Sequence, residues 1–247
     1  MEEHELWFTA LLNDYLAGPA NALLGAVGVH AHNPARPWAN FVAMQVVVLV
    51  VIVVLFAWLR RGFSIEKPGR AQHIFEGIYG FIEGQGEEFV GHGSHRYLAF
   101  FGTLFIFILF CNLIGVIPGF ESPTMFMPAP VPAGCAIAAF AYYHMSGLRA
   151  QGAGKYAAHF AGPVWWLAPL MIPIEIISHL ARPMSLTIRL FANMFASEQV
   201  TIIFLGLVPV LIPAVFMGLH VFVSLLQAYI FTLLTMVYVQ GAVAHEH

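Results

Sequence analysis

A chain of 247 residues that is 60% hydrophobic and only 9% charged lies far from the composition of a water-soluble domain and reads as an integral membrane protein. Its net charge of −3, with ten Lys and Arg that form no dense basic block, gives a nucleic-acid role no electrostatic support. Cys111 and Cys135 both fall in apolar runs and read as small buried side chains rather than as a disulfide or a metal pair.

Residues 1–37 begin with the acidic "MEEHE" and show no basic stretch followed by an apolar run, so they are expected to be an extramembrane segment, not a secretory signal. No long repeat or low-complexity tract divides residues 38–247, which are expected to form one membrane domain. Residues 38–59 are its first span: 22 residues without a charge, enough at about 1.5 Å each to cross about 30 Å of hydrocarbon. Arg60, Arg61, Lys67 and Arg70 come next, four of the ten cations, and that bias puts this loop in the cytoplasm and the N-terminus outside.

Residues 68–90 set Ile74, Phe75, Ile78, Phe81, Ile82 and Phe89 near one side of a helix and Glu76, Glu83 and Glu87 largely on another. This pattern predicts a helix lying on the membrane surface. A second span is expected over 97–118, closing at Pro118-Gly119, and a third over 130–148. Arg149 and Lys155 follow it, which returns the positive loop to the same side.

Residues 157–245 hold only four formal charges, Glu175, Arg182, Arg189 and Glu198, all of them interior. Segments 164–206 and 213–240 read as a long antiparallel hairpin joined across 206–213. An unbroken helix from Pro173 to Gly206 would be about 51 Å long and would lean roughly 50° to stay within about 30 Å of hydrocarbon. The predicted fold class is therefore all-α: about five membrane helices plus one interfacial amphipathic helix, the last two membrane helices long and strongly tilted, with the C-terminus in the cytoplasm.

Glu175, Arg182 and Arg189 are spaced by seven, which returns a helix to within about 20° of the same face. Ser178, His179, Ser185 and Asn193 lie on or beside that stripe. A charge at the bilayer centre costs about 2.5–3.5 kcal/mol and each large aliphatic returns about 0.3–0.6 kcal/mol, so such residues mark function by default. Arg182, beside Pro183, reads as one half of a structural ion pair with Glu175 at least as readily as a residue with a direct role. Arg189 has only Asn193 as a polar in-helix neighbour on its face, so its partner is expected outside this helix. Glu198, nine residues on, sits about 180° around and serves a different compartment. On the last helix His220 and Gln227 are seven apart, with Ser224 between them and Tyr238 further along the seam. Counting outward from a turn near residue 209, Glu198 and His220 fall level, where a carboxylate and an imidazole can exchange a proton.

"PIEIISHLARPMSLTIRLFANMF", then Glu198, then "HVFVSLLQAYIF", resembles the a subunits of F-type ATP synthases, the membrane stators beside a rotating ring of c subunits. The likeness extends more weakly over "CNLIGVIPGFESPT" and "HMSGLRAQGAGKYAAHFAGP", and so over most of the chain after residue 97. It implies that Arg189 is the essential stator arginine flanked by Asn193, and that Glu198 and His220 line an aqueous half-channel with Ser224 on its wall. It also implies that Gln227 lies across from the arginine. Glu175, Ser178, His179, Arg182 and Ser185 would form a supporting polar stripe. The family often enters its next span through Asn and Thr, whereas here Met125, Phe126, Met127 and three prolines follow "SPT".

The resemblance further implies a bacterial inner-membrane subunit that performs no ATP chemistry itself, with the c ring, the b-subunit peripheral stalk and the other synthase subunits as partners, and no metal or cofactor. Protons are the favoured coupling ion because no additional acidic cage is visible. A haem-holding cytochrome would use His179 and His220, but leaves the intramembrane arginine without a purpose. A stand-alone transporter would show two repeated halves, and none is evident.

Overall fold

A computed structural model describes residues 5–26, 33–64, 68–91, 93–117, 119–127, 129–152, 154–156, 167–207 and 211–243. Its long elements are α1 (Trp7–Ala26), α2 (Asn40–Gly62), α3 (Arg70–Val90), α4 (His95–Leu113), α5 (Pro130–Gln151), α6 (Ala168–Leu207) and α7 (Leu211–Val243). A 3-10 turn, Ile114–Val116, extends α4, and no strand occurs among the described residues. The chain is an all-helical membrane protein.

The first three expected spans fall on α2, α4 and α5, with ends that differ by a few residues. The long hairpin is α6 and α7, and its connection is shorter than 206–213: helix runs to Leu207 and resumes at Leu211. The expected start of this hairpin at residue 164 lies outside the described residues. At 40 residues α6 is about 60 Å long, twice the hydrocarbon thickness. Pro173 and Pro183 lie inside it without ending it. Among the described residues three helices are long and apolar enough to cross a membrane, Asn40–Gly62, His95–Val116 and Ala214–Val243. α6 is not among them and carries Glu175, Arg182, Arg189 and Glu198 along its length.

α4, α5, α6 and α7 pack on one another around a single apolar core that includes Phe101, Ile108, Ala136, Ala139, Leu190, Met194, Phe231 and Val239. Small residues on α5 let its backbone approach α7 closely, the packing mode open to helices in lipid, where burial of apolar surface supplies little drive. Gly147 is the tightest point: a Cβ there would come within 2.5 Å of the Tyr156 ring and 3.0 Å of the Ala242 carbonyl oxygen.

α3 behaves less simply than its pattern. Ile82 is buried and Ile78 and Phe89 pack on the core, while Ile74 and Phe81 stay exposed, because α3 rests on α4 and α7 along one edge only. The Tyr229 hydroxyl donates to Gln85 Oε1 at 2.8 Å and ties α3 to α7. Gly91, at φ 83°, turns the chain from α3 into α4.

Within the N-terminal segment, α1 is fastened to the start of α2. The Leu6 N–H donates to Asn40 Oδ1 at 3.3 Å, and the Asn13 amide spans the Trp38 backbone, accepting its N–H at 2.9 Å and donating to its carbonyl at 3.2 Å. The Trp7 ring lies edge-on to Phe120, so α1 also touches the turn that follows α4.

Candidate functional site

α6 presents its charges on opposite sides. Arg189 is half-exposed and its guanidinium reaches only Ser185 Oγ, at 3.4 Å; no carboxylate of the described residues pairs with it. It borders an open, mainly apolar groove of about 670 Å³ with Ile177, Leu180, Met184 and Ile188. A guanidinium cannot shed its proton, so this surface carries a permanent positive charge among aliphatic side chains. Glu198, about half a turn further round the helix, is 6% exposed and points into the bundle.

The surroundings of Glu198 come from α4 and the turn after it. The Ser122 backbone N–H donates to its carboxylate, Glu121 acts on it electrostatically, and Gly115 lies so near that a Cβ there would stand 3.4 Å from Oε2. His220 Nε2 meets the Asn112 carbonyl at 3.3 Å, so that nitrogen carries the proton of this contact. Ser122 Oγ donates to the Cys111 carbonyl at 2.9 Å and touches Thr124 Oγ1 at 2.7 Å, and Thr124 Oγ1 lies 2.8 Å from Asn112 Oδ1. Asn112, Ser122 and Thr124 therefore connect the surroundings of Glu198 with those of His220 into one polar region, the Glu198 chamber, and no ion pair joins those two among the described residues.

Three buried polar atoms, Asn112 Nδ2, Glu198 Oε2 and, one turn along from His220, Ser224 Oγ, have no hydrogen-bond partner among the described residues. Buried polar groups in this state are usually met by water, so the chemistry of the chamber suits a wet one. Sequence reasoning passed over Asn112, Gly115, Ser122 and Thr124 as site residues. The signal available was Asn112 itself, an amide set in the apolar run "LFIFILFCNL". The Met125–Met127 stretch adds no polar group: Phe126 is buried against Phe41 of α2.

A second cluster forms where α5, α6 and α7 meet. His179 bridges Glu175 Oε1, 3.1 Å from Nε2, and the Tyr143 hydroxyl, 2.7 Å from Nδ1. His144 Nδ1 lies 2.6 Å from the Tyr156 hydroxyl, with its ring 4.9 Å from that of His179. Arg182 makes no ion pair with Glu175, contrary to the sequence expectation. Glu175 is taken by His179 one turn away, and the Arg182 guanidinium lies over the rings of Tyr238 at 5.1 Å and Tyr143 at 5.7 Å. The cation is thus balanced by aromatic faces. Tyr143, His144 and Tyr156 were not anticipated, since nothing in their spacing distinguishes them from packing aromatics.

Asn193 and Gln227 face one another across a groove of about 350 Å³ between α6 and α7. Gln227 therefore lies opposite Asn193, one turn beyond Arg189. Ser185 is exposed beside Arg189, and Ser178 is half-buried next to His179. Cys111 and Cys135 are free buried thiols, and no group of three potential metal-binding side chains occurs among the described residues.

Comparison with known proteins identifies the family of the chain. The family model described as "ATP synthase A chain" matches residues 42–240. The chain is 67% identical to "ATP synthase subunit a" of Solibacter usitatus over 96% of its own length and 100% of that protein, and 52% identical to "ATP synthase subunit a" of Koribacter versatilis over 99% of each. "ATP synthase subunit a 1" of Syntrophotalea carbinolica is 46% identical over 76% of the chain and 79% of its own length. With a near-complete family match and relatives of this similarity along almost every residue, the chain belongs to the ATP synthase A chain family.

Proposed function

We propose that this membrane subunit of a proton-translocating ATP synthase carries protons through two separate polar paths divided by Arg189. The supporting observation is the placement of Arg189: a fixed cation at an open apolar groove, held by a serine and by no carboxylate among the described residues. A cation in that position is complete only with an acid from a neighbouring subunit. The reading assigns that acid to a ring of c subunits turning past α6 and α7.

A rotor carboxylate crosses lipid only when neutral and ionises only beside a compensating charge or water. Arg189 supplies the charge. Because it keeps its proton, it attracts the ionised acid yet hands nothing across. The chamber of Glu198, His220, Ser224, Asn112 and Ser122 serves one half-channel, and the Glu175–His179–Tyr143 cluster serves the other. Each proton that passes brings about 2.3 kcal/mol per 100 mV. In this reading five helices, α2 and α4 to α7, cross the membrane, α3 lies at its cytoplasmic surface, and a peripheral stalk of b subunits holds the assembly still. The N-terminus is outside and the C-terminus in the cytoplasm of a bacterial plasma membrane.

Replacement of the arginine tests this. In inverted vesicles, Arg189→Ala is expected to abolish coupled ATP synthesis while a passive proton leak appears once the catalytic sector is stripped. Leaving a rotor carboxylate uncompensated costs about 2.5–3.5 kcal/mol, roughly 100-fold in its population. Arg189→Lys is expected to be severely impaired as well, since a desolvated ammonium can lose its proton. Normal coupled synthesis in Arg189→Ala would refute the gate.

A further inference from the structure

α2, α3 and α4 leave between them a groove whose lining includes none of the residues of the proposed proton paths. Its walls are Phe56 and Phe63 from α2 and the residues after it, Phe75, Ile78 and Tyr79 from α3, and Gly102 and Ile106 from α4, around a space of about 300 Å³. Phe56, Phe63 and Tyr79 keep 39%, 55% and 55% of their surfaces exposed there, so the groove is a standing apolar surface rather than a closed core.

Phe63 also borders a second cavity of about 590 Å³, lined by Trp58, Arg61, Gly62, Gly69, Arg70 and Gln72. Arg61 is in the last turn of α2 and Arg70 opens α3, so two cations from two helices face one space. Neither has an ion-pair partner among the described residues. The nearest acid on the groove wall, Glu76, is occupied by Gln72 Nε2 at 2.7 Å and His73 at 3.7 Å. Trp58, 64% exposed, stands at the same end, where amphipathic rings favour the headgroup level of a bilayer.

We propose that this groove and the adjoining cavity together are a binding site for an anionic phospholipid. The phosphate would lie between Arg61 and Arg70, and one acyl chain would run down the aromatic groove to Gly102 and Ile106. Charge selects the ligand. An apolar groove alone takes any acyl chain, and two cations bordering one cavity, with no ion-pair partner among the described residues, favour a net negative headgroup by about fivefold each over a zwitterionic one. The position of the cations also suits a lipid: they end the first apolar span, where headgroups of the adjoining leaflet are found. A bound lipid would fill the space between α2 and α3, which meet through the Phe56–Phe75 ring pair.

The test uses the intact, detergent-purified synthase, delipidated and then titrated with phosphatidylglycerol, phosphatidylcholine or inorganic phosphate, with bound molecules counted on the released membrane sector by native mass spectrometry. Phosphatidylglycerol is expected to bind in preference to phosphatidylcholine, and the Arg61→Gln, Arg70→Gln double variant to lose about 25-fold in that affinity. A second variant probes the groove. A Cβ at Gly102 meets nothing within 4 Å, so Gly102→Leu is expected to fold normally and to exclude the acyl chain while leaving the arginines intact. Equal binding of both lipids, unchanged phosphatidylglycerol binding in both variants, or full competition by inorganic phosphate would each overturn the site. A density map of the complex with a protein segment seated in the groove would do the same.

Discussion

At the scale of single residues, the Glu198 chamber is governed by hydrogen-bond arithmetic. With the Asn112 oxygen turned to Thr124, two hydroxyl protons must serve three contacts: Cys111 carbonyl to Ser122, Ser122 to Thr124, and Thr124 to Asn112. With the amide turned over, Asn112 donates to Thr124, Thr124 to Ser122 and Ser122 to the carbonyl, and all three are filled. The amide atom of Asn112 turned away from Thr124 is thus either a donor or an acceptor, without any change in charge. Asn112→Leu removes both options and is expected to slow passive proton flux through the stripped sector by about tenfold, in line with about 1–3 kcal/mol for buried groups left unpaired. Flux equal to the parent protein would show that the amide plays no part. Tyr143→Phe, which deletes one bond to His179, is expected to lower stability by about 1–3 kcal/mol, read as a shift in thermal unfolding of the purified complex. The charged residues of this network were legible in the sequence because a charge in an apolar run is costly enough to stand out. Asn112, Ser122 and Thr124 were not, since serine and threonine in a turn usually serve the turn, and only the fold brings residue 122 beside residue 198. Arg182 was misassigned for a related reason: helical spacing shows which residues share a face, not that a tyrosine from another helix lies nearer.

At the scale of elements, α6 works through its rotation. Its unbroken register keeps Arg189 on the outer face and Glu198 on the inner one. Inserting one alanine after Met194 turns every later side chain by about 100°, which takes Glu198 away from Ser122 while Arg189 stays in place. Coupled proton pumping is expected to be lost although the complex still assembles, measured by vesicle acidification beside a subunit count; retained pumping would mean that Glu198 is dispensable. α5 and α7 depend on proximity instead. Gly147→Val drives a branched side chain into Tyr156 and Ala242 and is expected to cost about 1–3 kcal/mol or more, seen as earlier thermal dissociation of the subunit. Helix existence was readable from apolar length in α2, α4 and α7. α1 was missed because its segment offers no sustained periodicity, and its place depends on long-range bonds from Asn13 and Asn40. The edge-on seat of α3 was hidden for a similar reason, since an amphipathic face looks the same whether lipid or a neighbouring helix covers it.

At the scale of the whole molecule, the five crossings proposed above would place the two ends of the chain on opposite sides of the membrane. Cysteines introduced at the exposed positions Asp14 and Gln240 are expected to react with an impermeant thiol reagent from opposite sides of sealed cells, Asp14→Cys without permeabilisation and Gln240→Cys only after it. The native Cys111 and Cys135 are buried and give little background. Labelling of both from one side would rule out five crossings. The length of α6 has a geometric outcome of its own. Glu175 and Glu198 are 198 − 175 = 23 residues apart on one rod, so their backbones are about 35 Å apart. For a 60 Å rod to fit a 30 Å layer it leans by about 60°. Most of the gap between the two carboxylates then becomes sideways, about 30 Å, with only about 17 Å in depth. Ions admitted at one end and discharged at the other would be displaced around the circumference of whatever cylinder they ride on, and the direction of the lean would set the sense in which that cylinder spins.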